Sequence, residues 1–163
     1  PGEGSLVPRL SVWFIRLALV HLALGLTVGA LLLFHKGIPL APELWRLLPA
    51  HVEFLFMGWT VQLVFGVAYS LLPRFSDGPK YGNPLGAWAA LPLLNAGTWL
   101  VALAPLLPDA PRLGLVGRVL EGLAVVAYAL HAWPRIKPYR TAVTSVTPPR
   151  KMRHGPAGPQ EGG

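Results

Sequence analysis

The side chains of this sequence that could do chemistry are few, and most of them interrupt long apolar runs. The imidazoles belong to His21, His35, His51, His131 and His154. An imidazole binds metal ions through either ring nitrogen, so each histidine is a candidate ligand. The chain contains no cysteine, which excludes disulfides, thiolate metal sites and covalently attached c-type haem.

His51 begins an apolar run that is typical of a buried helix. At about 100° per residue, one face of this helix carries His51, Leu55, Gly58, Gln62, Phe65 and Tyr69. Glu53 lies on the opposite face, so His51 and Glu53 are not expected to chelate one metal ion together. An imidazole above Gly58 suits a flat macrocycle, because the glycine lowers the helix surface. The structural alternative is a solvated His51, with Gly58 and Gly66 only allowing close helix packing.

Polar residues in the other apolar runs are expected to find partners within the protein. Arg118 and Glu121 are three residues apart and share one helix surface, so we expect their charges to neutralise each other. The functional alternative is that Arg118 binds a carboxylate of a cofactor. Gln62 and Asn95 are expected to form hydrogen bonds between helices.

Four apolar segments must position these side chains. The chain has 163 residues, of which 53% are hydrophobic and 13% charged. The segments cover about residues 10–34, 51–72, 86–107 and 113–133, and each can cross a ~30 Å hydrocarbon layer at ~1.5 Å per residue. The predicted fold is therefore an all-α, integral membrane four-helix bundle within residues 1–133. Ala41 to Leu48 predicts a short interfacial helix, and residues 134–163 predict a basic, mobile tail.

The basic residues are distributed unevenly between the two ends of this bundle. Ten Lys and Arg residues lie on the side of both termini and of the loop after the second segment, whereas four lie on the other side. Cytoplasmic segments of membrane proteins carry such an excess, so both termini are predicted to be cytoplasmic. The net charge of +7 is thereby explained by topology, and no nucleic-acid partner is expected.

The segment from His51 to Arg74, HVEFLFMGWTVQLVFGVAYSLLPR, resembles the second transmembrane helix of the catalytic subunit of haem-copper oxidases and nitric-oxide reductases. The preceding segment, with SVWFIR from Ser11 and LGLTVG from Leu24, is similar to the first helix of that family. The resemblance covers about residues 9–75. It implies that His51 is an axial ligand of a haem b in the cytoplasmic membrane of a prokaryote.

The other metal ligands of that family lie on later helices, which have no counterpart among the four segments. An enzyme acting on its own is therefore not expected. His35 has the right depth to supply a second axial ligand, whereas His131 lies at the far end and His21 about ten residues deeper. A homodimer, for which Gly25-x-x-x-Gly29 is a packing motif, or a larger respiratory complex could supply it instead.

Two functions remain as expectations. The first is a membrane b-type haem-binding protein associated with respiratory electron transfer, in an oxidase or nitric-oxide reductase system. In that setting Arg118 would bind a haem propionate. The alternative is a haem-free accessory or assembly subunit of a respiratory membrane complex. Catalytic triads, phosphate-binding loops and paired acid–base carboxylates are absent from the sequence.

Overall fold

A computed structural model describes residues 8–72, 84–107 and 110–136 of the chain. These residues form helices and turns, with no strand among them. In chain order the elements are α1 (Arg9–Gly37), a 3-10 turn (Pro42–Leu47), α2 (Leu48–Glu53), a π-helical segment (Phe54–Val61), α3 (Gln62–Leu71), α4 (Leu85–Leu103), a 3-10 turn (Ala104–Leu106), α5 (Ala110–Ala132) and a last 3-10 turn (Trp133–Arg135).

Four helical stretches are long and apolar enough to cross a membrane. We call them spans one to four: Arg9–Gly37, Pro42–Leu71, Leu85–Leu106 and Pro111–Arg135. They confirm the all-α class and the four apolar segments that the sequence predicts. Span two begins earlier than predicted, because the 3-10 turn Pro42–Leu47 continues directly into α2. The predicted interfacial helix from Ala41 to Leu48 is therefore the first part of span two, not a separate element.

Span one packs closely along span two because glycines leave room for side chains of the opposite helix. One such side chain occupies the space next to each of four glycines: Leu55 at Gly25, His51 at Gly29, His21 at Gly58 and Phe14 at Gly66. A Cβ atom at any of these positions would lie only 2.5–2.8 Å from that side chain. The Gly25-x-x-x-Gly29 motif is therefore used within the chain, and its surface is not free for a symmetric dimer.

Spans three and four approach each other through a second set of small residues. A Cβ atom at Gly97 would lie 2.6 Å from Cγ of Glu121 and 2.8 Å from the backbone oxygen of Gly117. A Cβ atom at Gly117 would in turn lie 2.6 Å from Cγ2 of Val101. Pro92 lies inside α4, and the helix continues past it. Because Gly97 and Gly117 have no side chain, the backbones of the two helices come close enough to make van der Waals contact with each other.

An aromatic cluster joins spans one, two and four at the end of the bundle that carries Arg9. Phe65 and Tyr128 stack with ring centroids 4.0 Å apart, and Phe14 meets both rings edge-on. The Tyr128 hydroxyl donates a hydrogen bond of 2.6 Å to the Phe65 carbonyl. This bond fixes the register between spans two and four.

Arg135 lies in the segment that the sequence assigned to the tail, but its side chain is only 1% exposed. Its guanidinium donates hydrogen bonds to the carbonyls of Tyr69 and Leu72, at the end of α3, and lies next to His131. A cation at a helix C-terminus complements the partial negative charge of the last carbonyls. The boundary predicted at residue 134 is therefore too early. Residues 137–163 lie outside the described residues.

The packing of spans three and four predicts that a side chain at position 97 is not tolerated. Gly97→Leu should lower the free energy of unfolding by about 1–3 kcal/mol, since backbone atoms of span four must move to accommodate it. Gly122→Leu is the matched control, because a Cβ atom there meets nothing within 4 Å. Unfolding in detergent micelles measures both variants. Equal stability of the two would contradict the close contact.

Candidate functional site

His51 is held by span one in a defined orientation. Its Nδ1 atom lies 2.8 Å from the carbonyl oxygen of Gly25, and its ring occupies the space above Gly29. A carbonyl oxygen only accepts hydrogen bonds, so Nδ1 carries the proton. In the neutral ring, Nε2 then has a free lone pair. Metal-binding histidines commonly have this arrangement, in which a backbone carbonyl orients the ring.

The helix face that carries His51 exists as predicted from the sequence, but span one covers it. Gly58 is in contact with the side chain of His21, and Gly66 with the side chain of Phe14. A macrocycle could lie on this face only if these side chains moved away. The prediction that Gly58 faces a haem therefore does not fit the packing, whereas close helix packing accounts for both glycines.

His21 is the buried histidine whose surroundings the sequence did not reveal. Its side chain is 2% exposed and stacks on the Phe54 ring at 5.7 Å, with Trp99 at 6.1 Å. Nδ1 of His21 has no hydrogen-bond partner among the described residues. The neighbouring π-helical segment widens span two at this level, and such segments are frequent near functional sites. No spacing rule in the sequence predicts a π-helical segment here.

His35 lies at the same end of the bundle as His51 but has a different hydrogen-bonding state. Nδ1 of His35 accepts a hydrogen bond of 2.9 Å from the backbone N–H of Leu40. In the neutral ring the proton is therefore on Nε2, which leaves no lone pair for a metal. The ring lines a surface pocket of about 550 Å³ together with Lys36 and Trp45. This geometry does not favour His35 as a second axial ligand.

Arg118 forms the ion pair with Glu121 that the sequence predicts, at 2.8 Å, and a second one that it does not. Nη1 and Nη2 of Arg118 donate hydrogen bonds of 3.1 and 2.6 Å to the two carboxylate oxygens of Glu53. The sequence does not predict the pair of Arg118 with Glu53, because the two residues are 65 positions apart. Because two carboxylates already pair with the guanidinium, a propionate would bring a third negative charge to one cation.

The two amide side chains behave differently from each other. Nε2 of Gln62 donates to the carbonyl of Phe14 on span one at 3.4 Å, so the predicted interhelical bond is present. Nδ2 of Asn95 donates to Leu91 at 2.7 Å, within its own helix. The prediction that Asn95 joins two helices is therefore wrong, because its amide donates to a carbonyl one turn earlier in the same helix.

The described residues supply one oriented imidazole, that of His51, and no group of three His, Asp or Glu side chains that could hold a metal ion is found among them. The glycines beneath His51 are filled by span one, so the bundle does not enclose a macrocycle. No protein-family model, no curated protein and no solved structure matches the chain.

The contact between Gly58 and His21 gives a direct test of which group covers this glycine. Gly58→Leu should lower the free energy of unfolding by about 1–3 kcal/mol, because the new side chain collides with Cβ and Cγ of His21. Gly37→Leu is the control, since a Cβ atom there has nothing within 4 Å. Thermal unfolding of protein prepared with and without haem measures the effect. A loss of stability that occurs only in the haem-containing sample would contradict the assigned contact.

Proposed function

We propose that this chain is an integral membrane protein with both termini in the cytoplasm. The proposal is supported by large apolar side chains that point away from the bundle on every span. Leu33, Leu71, Leu85 and Leu130, one on each span, are each more than 60% exposed. Exposure of such an apolar surface to water is unfavourable, whereas lipid chains solvate it. The ten-to-four distribution of Lys and Arg supports the orientation, and the resemblance supports the cytoplasmic membrane of a prokaryote.

The orientation can be tested by labelling single cysteines, because the chain has none of its own. We expect Ser76→Cys to react with an impermeant thiol reagent only after the membrane is opened. Glu43→Cys, in the 3-10 turn at the opposite end of the bundle, should react in intact cells. The reverse labelling pattern would show that the termini face outward.

We propose further that His51 is an axial ligand of a b-type haem. The observation that carries this proposal is the hydrogen bond from Nδ1 of His51 to the Gly25 carbonyl, which leaves the Nε2 lone pair available. A haem supplies one-electron transfer when bound. The chain's own contribution is to fix the tautomer and the direction of the imidazole, through Gly25 and through the space above Gly29.

The haem of this proposal lies at a surface that the chain shares with a partner. The helix face below His51 is covered by span one, so a macrocycle must approach from outside the bundle. His35 carries its proton on Nε2, which directs the search for a second axial ligand to another subunit. A larger respiratory complex fits this requirement better than a symmetric dimer through Gly25 and Gly29, since those glycines are already covered.

A second candidate function is a haem-free accessory or assembly subunit of a respiratory membrane complex. The observation that favours it is that side chains of span one, His21 and Phe14, occupy the space next to Gly58 and Gly66. The guanidinium of Arg118 is likewise satisfied by Glu53 and Glu121. In this case the resemblance to a haem-binding helix reflects a shared scaffold, and His51 only joins spans one and two.

The absorption spectrum of protein purified from a haem-replete host distinguishes the two candidates. We expect a Soret band that falls more than about tenfold in His51→Ala, because loss of even an outer partner of a metal ligand costs 10–100-fold in affinity. His35→Ala is the matched control and should keep the band. Wild-type protein that co-purifies with a larger complex and has no Soret band would exclude haem binding and support the accessory subunit.

A further inference from the structure

Two buried carboxyl groups share one guanidinium at the junction of spans two, three and four. Glu53 and Glu121 are 3% and 2% exposed. Nη1 of Arg118 donates to one oxygen of each, at 3.1 and 2.8 Å, and Nη2 donates to the other oxygen of Glu53 at 2.6 Å. Both oxygens of Glu53 are therefore satisfied. Oε1 of Glu121 is buried and has no hydrogen-bond partner among the described residues.

The charges of this cluster do not balance when both carboxyl groups are ionised. Arg118 is the cation that pairs with them, so the cluster would carry a net charge of −1. Span three has no titratable side chain. The other ionisable groups on the elements packed around the cluster are directed elsewhere. Arg46 donates to the Pro105 carbonyl, Arg112 is exposed, and His21 and His51 contact span one or two.

Thr98 is a second residue near this junction with a buried polar atom that lacks a hydrogen-bond partner among the described residues. Its side chain is fully buried, and Oγ1 has no hydrogen-bond partner within the described ranges. The preceding residue, Gly97, faces Glu121, whereas Ala102, one turn after Thr98, packs against Ala50 and Phe54 of span two. At about 100° per residue, Thr98 lies between these two directions and therefore faces the junction that holds both carboxyl groups.

An ionised carboxylate oxygen that is buried without a donor has a high desolvation cost. Two carboxylates at the same guanidinium nitrogen also repel each other, which disfavours the state in which both are ionised. Glu53 accepts hydrogen bonds from Nη1 and Nη2 of Arg118, so each of its oxygens has a donor. Glu121 accepts a single bond and has the unpartnered oxygen, so it is the group that gains from protonation.

We propose that the Glu53–Arg118–Glu121 cluster is a proton-binding site, in which Oε1 of Glu121 takes up one proton at neutral pH. One H⁺ from solvent converts the Glu121 carboxylate to a carboxylic acid, and the net charge of the cluster changes from −1 to zero. The side chain of Arg118 is 55% exposed, so its flank is the side from which this proton exchanges. The site is independent of any haem at His51, which lies on the opposite face of α2.

Infrared spectroscopy of the full-length protein tests the proposal directly. Glu53 and Glu121 are the carboxyl residues of the four apolar segments of the sequence, and the other five acidic residues, including Glu43 at the start of span two, lie outside those segments. We expect the carbonyl stretch of a protonated carboxyl group at neutral pH, and we expect Glu121→Gln to abolish it. Glu53→Gln should abolish it as well, since Glu121 then becomes the sole counter-ion of Arg118 and ionises. Glu43→Gln, at an exposed position, is the control and should retain the band.

A wild-type spectrum without the band, or a band that persists in Glu121→Gln, would overturn the proposal. Stability gives a second readout. Glutamine resembles the protonated acid, so Glu121→Gln should leave the Tm within roughly 3 °C of the wild type. The double variant Glu53→Gln/Glu121→Gln leaves Arg118 without a counter-ion and should lose far more than the two single variants together. A large Tm loss in Glu121→Gln alone would show that its charge is required, which also contradicts the proposal.

Discussion

The close approach of span one to span two determines most of what the rest of the bundle can do. His21, His51 and Phe14 each occupy a gap left by a glycine on the facing helix. Protein interiors tolerate neither voids nor overlap, so these pairs fix the relative position of the two helices along their whole length. The same contacts decide the chemistry. They leave His51 with one oriented lone pair, bury His21, and remove the predicted macrocycle surface at Gly58.

Polar side chains in this bundle bond mainly to backbone carbonyls of span two and its neighbours. Such bonds join different helices between Ser11 and Gly66, Gln62 and Phe14, Tyr128 and Phe65, Arg135 and Tyr69, and His51 and Gly25. Because each donor bonds to a backbone carbonyl, it needs no second polar side chain as its partner. The number of polar side chains in the apolar layer therefore stays small. Each bond also links a defined pair of residues, so a slip of one helix along another would break several of them at once.

The sequence predicted the four helices well because long apolar runs bounded by proline need no knowledge of tertiary contacts. It also predicted the Arg118–Glu121 pair, since both residues lie on one helix. It failed where the answer depends on another helix. Glu53 joins this pair across 65 residues, and His21 fills the space above Gly58. A helical wheel shows which residues share a face, but a glycine on that face is equally suited to a cofactor or to a neighbouring side chain.

The two sites discussed above, His51 and the Glu53 cluster, lie on opposite sides of α2. His51 and Glu53 are two residues apart, and at about 100° per residue they point in nearly opposite directions. His51 bonds to a neutral carbonyl of span one, whereas Glu53 bonds to a cation of span four. Substitution of His51 therefore leaves the charges of the Glu53 cluster unchanged, and substitution of Glu121 leaves the tautomer of His51 unchanged. Because the α2 backbone separates the two sites, the ligand binding proposed at one and the protonation proposed at the other are physically distinct events. A change that altered both would have to act through the helix itself.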